Sequence, residues 1–110
     1  MGRYITTTGT SGAVITEQSS AYNARVNDRI LCDSSSTAFT ITLPANASLV
    51  KGDTLQIVDV TGSFGTNNVT LARNSSKIQN LTEDLVLNIN NAVVTLMYSG
   101  ASYGWVLLSS

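Results

Sequence analysis

Residues 38–44, AFTITLP, decide the fold class of this chain. The large apolar side chains of Phe39, Ile41 and Leu43 alternate with two threonines, and successive side chains of a β-strand point to opposite faces. Aromatic and β-branched residues favour such a pleated, half-buried surface. Pro44 has no N–H to donate to a neighbouring strand, so we expect the strand to end there. The stretch therefore predicts a β-strand with one face in the core and the other in water.

The same alternation, bounded by turn residues, recurs from residue 29 onward. Residues 45–52 follow Pro44, contain Asn and Gly punctuation, and predict a loop with one helical turn. Asn90 and Asn91 tolerate the left-handed conformation of two-residue turns, so we expect the last three strands to form an antiparallel meander. Regularly spaced short strands predict an all-β fold, a small antiparallel β-sandwich or β-barrel-like domain. Besides 38–43, the predicted strands are 29–33, 54–60, 68–73, 84–89, 92–98 and 103–108.

The N-terminal residues differ in composition from the rest of the chain. Residues 1–28 are rich in Thr, Gly and Ser and contain only two short apolar patches. We expect them to form an extended N-terminal arm, followed by an antiparallel β domain over residues 29–110. A chain of 110 residues fits one domain of ordinary size. The apolar residues proposed as contacts of the arm are Tyr4, Ile5, Val14 and Ile15.

The last two predicted strands, 92–98 and 103–108, carry apolar residues on both faces. One face should pack on the core, and the other needs a cover, because exposed apolar strand faces favour aggregation. Two covers remain open, a neighbouring subunit and the N-terminal arm folded back over the strands. The candidate subunit interface comprises Val93, Val94, Leu96, Met97, Trp105, Val106 and Leu108.

The charge composition argues against several partners. The net charge is −1, and only 12% of residues are charged, against about 25% in average proteins. The six Lys and Arg residues are scattered and form no basic stripe, so we expect no nucleic-acid partner. No apolar run approaches the roughly 20 residues of a membrane-spanning helix, so we expect no membrane partner. The first residues lack the apolar core of a signal peptide, so we expect synthesis in a reducing cytoplasm.

The chain contains no histidine and a single cysteine. These facts exclude Ser-His-Asp and Cys-His catalysis and zinc sites built from His and Cys. A pair of carboxylates would suffice for glycoside hydrolysis, but the acidic residues are dispersed and form no calcium-loop motif. We therefore expect no enzyme, no cofactor and no metal. Cys32 lies in a predicted strand, where a small buried hydrophobe is the favoured interpretation over a reactive thiol.

The aromatic residues allow two interpretations. Aromatic rings stack well on sugars and could line a carbohydrate-binding face. More often they are anchors of the core or of an interface, which is the interpretation we favour. The residues concerned are Tyr22, Phe64, Tyr98, Tyr103 and Trp105.

Several motifs occur in a characteristic order. They are NDRILCD at 27–33, AFTITLP at 38–44, GDTLQIVD at 52–59, NNVTLARN at 67–74, and YSG at 98–100 followed by GW at 104–105. Over residues 22–110, this succession resembles a small β-rich domain that recurs in virion structural proteins of tailed bacteriophages, including cyanophages. There the domain occurs within tail fibres and as short free-standing proteins.

The resemblance implies a virion component, made in the host cytoplasm, that is usually a homotrimer and has no catalytic residues to carry over. This chain has no coiled-coil heptads and no long repeat that could form a fibre shaft. We therefore expect a capsid decoration (cement) protein that stabilises the head by bridging capsid subunits, with the major capsid protein or other virion proteins as partners. An extended arm of 28 residues would reach at most about 90 Å. The alternative is a tail-fibre or receptor-binding module that recognises host surface glycan.

Overall fold

The computed structural model describes residues 14–109, apart from the side chain of Ser109. This part of the chain is rich in strands and has almost no helix. A single 3-10 turn, Asn46–Ser48, interrupts the strands. The strands are β1 Val14–Gln18, β2 Tyr22–Asn23, β3 Asp28–Cys32, β4 Phe39–Thr42, β5 Thr54–Asp59, β6 Val69–Ala72, β7 Leu85–Leu87, β8 Val93–Tyr98 and β9 Trp105–Ser109.

The strands form two mixed sheets, and the chain alternates between them. The five-stranded sheet has the order β1-β3-β5-β8-β9, and the four-stranded sheet has the order β2-β4-β6-β7. From β1 to β6, each strand lies in the sheet opposite to its predecessor. The chain therefore coils, and each coil adds one strand to each sheet. No described strand belongs to both sheets, so they do not join into a closed barrel.

The prediction of an antiparallel domain was wrong for the first part of the fold. The pairings β1–β3, β3–β5, β2–β4 and β4–β6 are all parallel. Only the pairings β5–β8, β6–β7 and β8–β9 are antiparallel. A coiling chain enters the same sheet in the same direction each time, so its strands pair in parallel, whereas a hairpin reverses the chain direction. Alternation along a strand shows which face is buried but does not show which strand is its neighbour.

The predicted meander of the last three strands was also only partly right. Strands β8 and β9 are antiparallel neighbours, but β7 belongs to the other sheet. The turn at Asn91 does adopt the expected left-handed conformation, with φ of 63°. It carries the chain across from the four-stranded to the five-stranded sheet instead of closing a hairpin.

One hydrophobic cluster contains buried residues from both sheets. Alternate residues of β3, β4, β5, β6 and β8 point into it, for example Ile30 of β3, Ile57 of β5 and Leu71 of β6, none of which is exposed. Phe64, from the loop between β5 and β6, and Trp105 of β9 are also completely buried. The alternation seen in the sequence is therefore the division between core and surface.

All seven predicted strands are confirmed, with ends that agree to within two residues. The predicted helical turn after Pro44 is confirmed as Asn46–Ser48. The prediction of an extended arm over residues 1–28 did not include two strands, β1 and β2. β1 pairs along its whole length with β3, and β2 pairs with β4, so the described part of the predicted arm belongs to the folded body. The remaining part of that arm, residues 1–13, lies outside the described residues.

In the described part of the chain, no helix has the length and apolar character required to cross a membrane.

Candidate functional site

The outer face of the five-stranded sheet carries two apolar rows. Leu31, Val58 and Val93 are register neighbours on β3, β5 and β8. Their neighbours along each strand point into the core, so these three side chains point away from it. Leu31 and Val58 are half-buried, and Val93 is 42% exposed. We call the whole surface of the five-stranded sheet that points away from the core, with these and the following rows, the outer face.

The second apolar row lies nearer the start of β9. Met97 of β8 and Val106 of β9 are paired, and Thr54 of β5 lies beside Met97. Leu108 lies at an irregularity in the β8–β9 pairing and is 57% exposed. On the outer face, β8 is therefore apolar at both ends, with Val93 and Met97, whereas β5 begins with the polar Thr54.

A polar row separates the two apolar rows. Ile15, Arg29, Gln56 and Thr95 are successive register neighbours across β1, β3, β5 and β8. The Gln56 amide donates to Thr95 Oγ1 over 3.1 Å, so these two polar groups partly satisfy each other. A partner of the outer face would meet apolar surface on both sides of a neutral hydrogen-bonded pair, with the cation Arg29 and the anion Glu17 towards the β1 edge.

The residues predicted as a subunit interface divide between core and surface. Val93, Met97, Val106 and Leu108 lie on the outer face. Val94, Leu96 and Trp105 do not, because they are at most 3% exposed and belong to the core. The sequence showed that both faces of these strands are apolar, but it could not show which face was which.

The predicted arm contacts also divide. Val14 and Ile15 lie on β1, the edge strand of the five-stranded sheet, and are 59% and 65% exposed. Tyr4 and Ile5 lie outside the described residues.

An open apolar groove of about 660 Å³ lies between the ends of the two sheets. Strand β7 is the edge of the four-stranded sheet and β9 is the edge of the five-stranded sheet. Leu85, Ala92 and Leu107 pack against the core from the groove side. The residues that line the groove are 85–94 and Leu107.

The groove belongs to a part of the chain without charge. Every Lys, Arg, Asp and Glu lies at or before Asp84, so β7, β8 and β9 contain none. This signal was available in the sequence, but a count of charges over the whole chain does not show where they are. We call the surface formed by β7, the β7–β8 loop and the neighbouring edge of β8 and β9 the charge-free end.

The buried acidic side chains accept hydrogen bonds from neighbouring parts of the chain. Asp59 is 4% exposed, and its carboxylate accepts backbone N–H groups from Ser63 (3.1 Å), Phe64 (3.1 Å) and Asn91 (2.9 Å). Burial by itself disfavours the Asp59 carboxylate, but these bonds and one from Gly62 outweigh it and lower its pKa. Asp59 therefore ties the β5–β6 loop to the β7–β8 loop.

Asp28 acts in the same way at the other end of the sheet. Its Oδ2 accepts the Tyr22 hydroxyl (2.7 Å) and the Arg25 backbone N–H (2.8 Å). Among residues 14–109, no three His, Cys, Asp or Glu side chains come together as a metal site would require. The acids whose geometry is described here are thus engaged in loop structure.

Cys32 is completely buried, as the sequence predicted. Burial, reinforced by the negative charge of Asp59, raises the pKa of Cys32 to about 12. A thiol with such a pKa is protonated at neutral pH and is a poor nucleophile.

Of the aromatic residues considered for glycan binding, only Tyr103 is largely exposed, at 60%. Phe64, Tyr98 and Trp105 are buried, and Tyr22 is half-buried with its hydroxyl bonded to Asp28. Tyr98 and Trp105 contact each other edge to face, with ring centroids 5.4 Å apart. Most aromatic side chains are therefore core anchors, the interpretation favoured from the sequence.

No family model matches the sequence, and no curated protein matches it.

Proposed function

We propose that this chain is a capsid decoration (cement) protein of a tailed phage, which stabilises the head by bridging capsid subunits. In this proposal its location is the virion, after synthesis in the host cytoplasm. Its partners are further copies of itself, as a homotrimer, and the major capsid protein or another virion protein. The two sheets would serve as a rigid, sandwich-like body that presents the outer face to the particle.

One observation carries the proposal: the outer face has two apolar rows and no cover among the described residues. Val93 and Leu108 are 42% and 57% exposed on adjacent strands of the five-stranded sheet. Isolated exposed apolar residues are ordinary, but rows of them on adjacent strands are typical of surfaces that bind another protein. The succession of motifs that resembles phage virion domains supports the choice of partner.

The role of the two buried acids supports a structural function for them over catalysis. Asp28 and Asp59 are occupied by backbone and tyrosine donors. A general acid or base must reach a substrate proton, and neither carboxylate is exposed enough to do so. We therefore propose a protein that works through contact surfaces alone.

The test is binding to purified capsids that lack the protein. Val58→Asp puts a charge in the middle of the first apolar row, and we expect capsid binding to weaken at least about 30-fold, as for an interface hot spot. Val50→Asp is the matched control, because Val50 is 67% exposed in a loop outside the outer face. Equal binding by both folded variants would contradict the proposal.

A second variant tests the arm. Deletion of residues 1–13 leaves β1 intact, whereas a longer deletion would remove Val14–Gln18 from the sheet. If residues 1–13 contact neighbouring subunits, we expect the truncated protein to bind capsids more weakly while its urea midpoint stays unchanged. Unchanged capsid binding would leave the arm without a role.

The alternative, a tail-fibre or receptor-binding module for host glycan, now depends on Tyr103, the exposed aromatic side chain in the β8–β9 turn. Trp105→Ala would not test it, because Trp105 is in the core and its truncation should cost about 3–5 kcal/mol of stability. Glycan-array binding that disappears in Tyr103→Ala would favour the alternative. If the unmodified protein binds no glycan on the array, the alternative is wrong.

A further inference from the structure

The charge-free end combines an edge strand with an apolar groove, and the strands and loop that form it contain no charged residue. Proteins commonly protect edge strands with charged residues, especially Lys. β7 has no charged residue, and Asp84 immediately before it bonds to the backbone N–H of Arg73 through Oδ1 (3.0 Å). β7 itself therefore lacks the charged residues that commonly protect an edge strand, although it is only three residues long.

Apolar side chains at the rim of the groove are open to solvent, while Leu87 and Val94 of its lining are buried. Ile89, at the β7–β8 loop, is 69% exposed, and Val86 of β7 is 50% exposed. Val93, also in the groove lining, belongs to the outer face as well, so the two surfaces meet there. The polar residues of the lining are Asn88, Asn90 and Asn91, which are neutral.

We propose that the charge-free end joins copies of this chain to one another, with the groove and its rim packed around the symmetry axis of a homo-oligomer. Close to such an axis, each residue approaches the same residue of another copy. A charged side chain there would face a like charge, which destabilises the contact. Apolar and Asn side chains are neutral, so they can lie against the same residue of another copy without charge repulsion. The cores of homo-oligomer interfaces are apolar and depleted in charge.

The same feature argues against a foreign partner at this end. Interfaces between different proteins use complementary charge for steering and specificity. The segments of the charge-free end contain no charged residue to complement, whereas the outer face includes Arg29 and Glu17. The inference rests on the proposed homo-oligomeric virion protein, and it assigns self-association to the charge-free end and capsid binding to the outer face.

The first experiment measures assembly mass by size-exclusion chromatography with light scattering. We expect the unmodified protein to be a homo-oligomer and Ile89→Asp to raise its dissociation constant at least about 30-fold. Val86→Asp, on the same rim, should act alike, while the control Val50→Asp should keep the mass of the unmodified protein. Circular dichroism of each variant checks that the fold is retained.

The second experiment measures proximity and needs no destabilising charge. In Ile89→Cys, a bifunctional maleimide should link two copies covalently, which a denaturing gel shows directly. The native Cys32 is buried and gives no background, and Val50→Cys is the control that should remain monomeric on the gel.

A monomeric unmodified protein would overturn the inference, as would Ile89→Asp and Ile89→Cys variants that behave like their Val50 controls. Either result leaves capsid binding through the outer face to be decided by Val58→Asp. Conversely, if every outer-face variant still binds capsids normally, the proposed function is wrong. The assembly measurements would still test the self-association of the charge-free end.

Discussion

The carboxylate of Asp59 joins two loops that are distant in the sequence. Its two oxygens accept N–H groups from Ser63 and Phe64 on one side and from Asn91 on the other. An Asn side chain would keep one acceptor oxygen but would turn an NH₂ group towards backbone donors. A buried donor left without an acceptor costs about 1–3 kcal/mol.

We therefore expect Asp59→Asn to lower the free energy of unfolding at pH 7 by about 1–3 kcal/mol. The folded-state pKa of Asp59 is lowered, so its ionised form stabilises the protein above the ordinary carboxyl pKa of about 3.9. That contribution is lost as the pH falls through the lowered folded-state pKa. The difference between the unmodified protein and the variant should thus shrink at pH 3.

Urea unfolding at pH 7 and pH 3, followed by fluorescence, measures both effects. Glu83→Gln removes a charge from an exposed side chain and is the control, for which little change is expected. A difference between Asp59→Asn and the unmodified protein that is the same at both pH values would contradict the role of the ionised carboxylate.

At the scale of elements, the positions of most strands could be predicted from the sequence, but the pairing of strands within the sheets could not. The alternation of Phe39 and Ile41 with threonines defines β4 and its buried face. Nothing in that pattern distinguishes a neighbour reached by a hairpin from one reached by a coil, and β4 pairs with β6, about 30 residues later. β1 escaped prediction because Val14 and Ile15 are adjacent apolar residues on an exposed edge strand, where no alternation is needed.

The start of β9 depends on one glycine. Gly104 has φ of +75°, and a Cβ added there would lie 2.1 Å from the carbonyl oxygen of Lys77. That same oxygen accepts the Trp105 N–H (2.8 Å), and the Trp105 carbonyl accepts the Gln79 N–H (2.7 Å). The segment at 77–79 can approach the β9 edge only because residue 104 has no side chain.

We expect Gly104→Ala to reduce the free energy of unfolding by about 3 kcal/mol, from the left-handed backbone together with the clash. Gly52→Ala is a matched control, because Gly52 also has positive φ, +96°, but an added Cβ meets nothing within 4 Å. We expect about 1–2 kcal/mol there. Urea midpoints of the two variants measure the difference, and equal losses would show that the contact with Lys77 is unimportant.

At the scale of the whole molecule, the sequence predicted only in part which residues lie in the core and which lie on the contact surfaces. It identified the apolar C-terminal strands, and four of the seven candidate interface residues, Val93, Met97, Val106 and Leu108, lie on the outer face. It could not assign Trp105 to the core, because an aromatic residue among apolar neighbours on both sides suits a core and an interface equally.

The position of Trp105 gives a test of the whole arrangement, because it is the single tryptophan of the chain and is completely buried. A core tryptophan is shielded equally in the monomer and in any assembly. We therefore expect its emission maximum and its slow quenching by acrylamide to stay constant on dilution through the range in which light scattering shows dissociation. Both should change only in urea, when the two sheets separate. A red shift on dilution at constant secondary structure would place Trp105 in a subunit contact and would contradict the division into core, outer face and charge-free end.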